Sequence, residues 1–83
     1  MYIESIPKKL KYLRDKYNFT QKDVSAETKI PQETISRYES GLRIPSAEHL
    51  AILADFYQVS TDWLLGTKGE NKALYFDPGI GNL

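Results

Sequence analysis

Eighty-three residues with eleven Lys and Arg, eleven Asp and Glu, no cysteine and a formal net charge of zero provide for one small domain. A chain of this size buries roughly 60% of its unfolded surface, and the lack of cysteine excludes a disulfide framework, a thiolate metal site and a cysteine nucleophile. No apolar run nears the ~20 residues of a bilayer span, and the opening "MYIESIPKKLKYLRD" lacks the apolar block of a secretory signal, so a soluble, cytoplasmic protein without membrane contact is expected.

The first element is "SIPKKLKYLRDKY", where Ile6, Leu10, Leu13 and Tyr17 recur at the spacing of one face of an amphipathic helix. Asn18 is expected to end it in a left-handed turn, which asparagine tolerates. In "TQKDVSAETK", Thr20 is a candidate N-cap with Asp23 three residues on, and the core side is expected at Val24 with Ala26 and Thr28 nearby. "KIP" breaks the pattern, because a residue before proline is pushed out of the helical region.

"PQETISRYES" follows and closes at Gly41, a candidate left-handed C-cap. "LRIP" reads as a loop. "SAEHLAILADFYQ" has Ser46 as N-cap, Glu48 near the positive end of the helix dipole, and a stripe of Leu50, Leu53, Ala54 and Tyr57. "STDWLLG" adds one or two turns between Ser60 and Gly66. Five short helices with brief connections predict an all-α bundle over residues 1–66. Residues 67–83 carry three glycines and a proline around one apolar cluster, Leu74–Phe76, and are expected to form a tail, flexible or used in oligomerisation.

The third element carries the functional signal. At ~100° per residue, Gln32, Glu33, Ser36, Arg37 and Ser40 fall within an arc of roughly 140°. Pro31, Ile35 and Tyr38 lie opposite, with Thr34 and Glu39 at the borders. One face can anchor the helix to a core. The other offers the groups that pair with base edges in the major groove: Gln with adenine, Arg with guanine, Glu with cytosine. A polar outer face is common on surface helices, so the weight comes from the short helix just before it. Two helices joined by a three-residue break make the helix-turn-helix arrangement, whose second helix enters the groove. Charge is also polarised. From Lys8 through Arg43 there are nine basic residues and five acids, whereas Ile44 through Gly66 has three acids and no Lys or Arg.

Across residues 6–66, "LKYLRDKYNFTQ", "FTQ", "TISRYESG", a proline and "VSTDWLLG" occur in an order that strongly resembles the lambda-repressor-like, XRE-type DNA-binding domain. The resemblance implies a five-helix domain that binds a double-stranded DNA operator. It implies base-reading by Gln32, Glu33 and Arg37, with Thr34 and Ser36 as adjuncts. It implies phosphate contacts by Gln21 at the start of helix 2 and by Ser40 and Arg43 after helix 3, and Lys22 belongs with this phosphate-binding set. Arg14 and Glu39 match a pair that bridges helices 1 and 3, a structural role. Lys29 and Gln58 stand where relatives usually carry glycine, and Pro31 where a capping Ser or Thr is common.

Helix 4 is apolar over well beyond half its circumference, because Ile52 and Phe56 flank its stripe; Trp63 and Leu65 extend this surface. A helix buried in its own bundle accounts for that, as does a two-fold interface through Ile52, Phe56, Trp63 and Leu65, which the resemblance favours. The lone His49 has no second metal ligand nearby, and no catalytic set or phosphate-cradling glycine loop is present, so no enzyme activity and no cofactor are expected. Two functions remain: a regulator, most simply a repressor from a bacterium or phage-like element, or an antitoxin-like module whose tail binds another protein.

Overall fold

A computed structural model describes residues 2–66, with side chains from Ile6 onward. It contains five helices: α1 Tyr2–Lys16, α2 Gln21–Thr28, α3 Gln32–Ser40, α4 Ala47–Tyr57 and α5 Thr61–Leu65. The expected tail, including Leu74–Phe76, lies outside the described residues. Among the described residues there is no strand, and no helix is long and apolar enough to cross a membrane.

The helix boundaries follow local chemistry. Thr20 and Asp23 form a reciprocal capping box: Asp23 N donates to Thr20 Oγ1 at 3.0 Å, and Thr20 N donates to Asp23 Oδ2 at 2.9 Å. Ser46 and Ser60 cap α4 and α5 by accepting from the amides of His49 and Trp63. At the other ends, α1 turns at Asn18 (φ 60°), α2 at Lys29 (φ 67°) and α4 at Gln58 (φ 60°), all left-handed, while glycine serves α3 and α5 at Gly41 and Gly66. A side chain in that conformation costs about 1–2 kcal/mol through the clash of Cβ with the next carbonyl.

The core joins Ile6, Leu10 and Leu13 of α1 to Val24, Ile30, Ile35 and Tyr38 of the central segment, and to Leu50, Leu53, Ala54, Tyr57 and Leu64. α1 lies between α3 and α5, and α2 packs on α3. Three expectations for this core are corrected. Ala26 is exposed, and Ile30 takes its place: α2 ends at Thr28, and the left-handed Lys29 swings the chain so that Ile30 enters the interior. Tyr17 lies just past the end of α1, so helical geometry no longer aims it inward; it is 43% exposed, with its ring stacked on Tyr57 at 6.4 Å. Pro31 is exposed as well, because it occupies the N-cap of α3 with extended ψ (140°) and is not yet helical.

Ile52, Phe56, Trp63 and Leu65 are half-buried and pack against the core of their own chain. The Phe56 ring meets Phe19 at 5.3 Å and Tyr57 edge-on at 4.9 Å. Trp63 is covered by Lys9, whose Nζ lies 4.9 Å from the ring centroid and donates to the Trp63 carbonyl. Burial lowers the pKa of that lysine.

Candidate nucleic-acid interface

The turn between α2 and α3 is tied by side chains. The Lys29 amide donates to the Ser25 carbonyl at 2.8 Å, and Ser25 Oγ donates to the Ile30 carbonyl at 2.6 Å. Thr28 Oγ1 donates to the Val24 carbonyl at 2.7 Å and accepts from the Ile30 amide at 3.3 Å. These bonds use the backbone groups that a tight turn would otherwise leave unpaired inside the protein, and they hold α3 at a fixed angle to α2.

α3 is anchored by Ile35, Tyr38 and Glu39, all buried. The Tyr38 hydroxyl lies 2.6 Å from His49 Nδ1, which fastens α3 to the first turn of α4 and gives the half-buried histidine its polar partner. Opposite these anchors, Gln32, Glu33, Ser36 and Ser40 are exposed, and Thr34 and Arg37 are half-buried. Arg37 Nη2 donates to Glu33 Oε2 at 3.1 Å, so the carboxylate on this face has its own counter-charge. Ser40 Oγ donates to the Arg37 carbonyl at 3.2 Å, the same oxygen that accepts from the amides of Leu42 (3.0 Å) and Arg43 (3.3 Å). These bonds draw the chain after α3 back against its last turn.

Around this face, Lys22 and Arg43 are exposed. Gln21 is half-buried, and its Nε2 donates to Glu39 Oε1 at 3.1 Å. Glu39 accepts two further bonds from Arg14: Nε to Oε2 at 2.8 Å and Nη2 to Oε1 at 2.9 Å. The bond to Glu39 raises the Arg14 pKa above its already high value and outweighs the lowering effect of burial. Two aliphatic side chains of the loop after α3, Leu42 and Ile44, flank Arg43 and are 76% and 58% exposed. Among the described residues no group of His, Cys, Asp or Glu is arranged to hold a metal ion.

A family model described as Helix-turn-helix matches residues 10–64, the stretch from the third turn of α1 into α5. The chain belongs to the XRE-type helix-turn-helix family. Two relatives from Bacillus subtilis (strain 168) bear the family's stamp in their names. The HTH-type transcriptional regulator ImmR is 40% identical over 62 residues, 75% of this chain and 49% of that protein. The HTH-type transcriptional regulator AnsR is 38% identical over 64 residues, 77% of this chain and 55% of that protein. The chain thus spans about half the length of the curated relatives it matches. No solved structure matches it. In helix-turn-helix terms α2 is the supporting helix, Lys29–Pro31 the turn and α3 the outward-facing second helix.

Proposed function

We propose that this chain is a sequence-specific double-stranded-DNA-binding transcriptional regulator acting in the cytoplasm, a repressor that occludes its operator as a dimer with α3 in the major groove. The observation that carries the reading is the two-sidedness of α3: Ile35, Tyr38 and Glu39 are buried while Gln32, Glu33, Ser36 and Arg37 stand together on the other side. Gln32 pairs with adenine, Arg37 with guanine and Glu33 with the amino group of cytosine, with Thr34 and Ser36 as adjuncts. Gln21, Lys22, Ser40 and Arg43 contact the flanking phosphates and set the register. Arg14 and Glu39 serve the fold rather than the bases.

Two copies related by a two-fold axis read a palindrome with half-sites ~34 Å apart, one helical turn. Ile52, Phe56, Trp63 and Leu65, which keep part of their surface in water, supply the contact between copies. Selecting bound sequences from a random DNA pool gives the operator, and a salt titration on that operator tests the mechanism. Affinity that falls linearly on logarithmic axes as salt rises supports phosphate neutralisation. Failure to enrich any sequence, with a flat salt response, would leave a protein-binding module instead.

A further inference from the structure

Glu39 is only 7% exposed, yet three donors converge on its carboxylate: Arg14 Nε, Arg14 Nη2 and Gln21 Nε2. Arg14 Nη1 also donates to the Phe19 carbonyl at 3.0 Å, in the turn that leads into α2. Burying an ion pair is a poor route to stability, because desolvation takes back most of the Coulombic gain and apolar replacements of similar volume are often neutral or better. Stability alone therefore gives little reason for a carboxylate at this place.

Its geometric effect is on Gln21. An ionised carboxylate can only accept, so it must face Nε2 of the amide and not Oε1. One Nε2 proton points inward to Glu39, and the second is left for the outside at the first turn of α2. Fixing a glutamine side chain in advance also removes rotamer entropy that binding would otherwise have to supply. Glu39 sits in the last turn of α3, so the amide is held in register with the helix whose outer face carries Gln32 and Arg37.

Resting on the DNA-binding reading above, we infer that Glu39, itself held by Arg14, is a positioning residue that presents the free N–H of Gln21 to a backbone phosphate. The ion pair thereby couples the base-reading helix to a phosphate contact on a different helix.

The test compares the full chain and an Arg14→Met/Glu39→Leu double variant, each with and without Gln21→Ala, on one short duplex of mixed sequence, with thermal melts alongside. In the native background Gln21→Ala weakens binding roughly tenfold, the size of one hydrogen bond to a charged group. The double variant weakens binding by a similar factor while remaining folded, and adding Gln21→Ala to it costs nothing more. An equal loss for Gln21→Ala in both backgrounds, or no loss in either, overturns the inference. Should the double variant fail to fold, the side-chain amide signals of Gln21 in the unmodified chain decide. One proton shifting on addition of duplex while the other stays put supports the role, and neither shifting overturns it. If the unmodified chain shows no salt-sensitive duplex binding at all, the proposed function itself falls and takes this inference with it.

Discussion

Glu33 and Arg37 face solvent one helical turn apart on α3, with Nη2 of the arginine 3.1 Å from Oε2 of the glutamate. The contact is an exposed i,i+4 pair, worth a few tenths of a kcal/mol in isolation. Its importance lies in orientation: the guanidinium is drawn toward one side and the carboxylate carries no uncompensated charge toward a phosphate backbone. Arg37→Ala is expected to cost about 1–3 kcal/mol on the selected operator and to relax preference at one base pair. Binding measured on operators altered at each position checks this, and equal weakening on every sequence would make Arg37 a phosphate contact.

Lys29 holds a left-handed conformation (φ 67°) at the end of α2. Glycine removes the Cβ clash, about 1–2 kcal/mol, and adds about 0.5–1 kcal/mol of unfolded-state freedom. Lys29→Gly is therefore expected to stabilise the domain by up to about 1 kcal/mol, a rise of several degrees in Tm for a chain this short. A thermal melt of the variant decides, and a Tm equal to or below that of the parent would show that the turn bonds of Ser25 and Thr28 already absorb the strain.

The backbone amide of Thr20, and then its hydroxyl, hydrogen-bond to the exposed Asp23 carboxylate and hold its pKa below the ordinary value. A depressed carboxylate pKa means that the unfolded chain binds a proton more readily than the folded one. The stabilisation is then complete above the ordinary Asp range near pH 4 and is lost as pH falls through the lower, folded value. Denaturant melts of the parent and of Asp23→Ala should accordingly differ at neutral pH and converge on acidification. A gap that stays constant to low pH would assign the capping box to shape rather than charge.

Association through the α4–α5 surface predicts a mass that rises with protein concentration, and two chains per operator. Leu65→Lys, at a half-buried position, should shift that equilibrium toward monomer more than it shifts Tm. Sedimentation that reports a single chain at every concentration, with and without operator, removes the dimer from the proposal.

Much of this fold is legible in the chain because its helix ends are chemically marked. Thr20, Ser46 and Ser60 carry the oxygen that an N-terminal amide needs, and Gly41 and Gly66 tolerate the closing left-handed turn. The errors fall one or two residues past such ends. Helical spacing aims Tyr17 inward, but the backbone leaves the helix after Lys16; after Thr28 it leaves again, so Ile30, which no helical pattern marks, enters the core instead of Ala26. The exposed Leu42 and Ile44 escaped for the same reason, lying in a loop with no periodicity to read. The bond from Gln21 to Glu39 joins residues eighteen apart on different helices, and no local pattern encodes a meeting set by the angle between α2 and α3.

Trp63 is the only tryptophan in the chain, and it sits half-buried beneath the Lys9 ammonium, where α5 meets α1. Its fluorescence is therefore a built-in gauge of that seam. Quenching by the nearby cation should be relieved when α5 lifts from α1, so emission can follow unfolding without any label. The indole lies on α5 rather than on the α3 face, so a spectral change on adding operator would report the seam or the proposed contact between copies, not the base-reading helix.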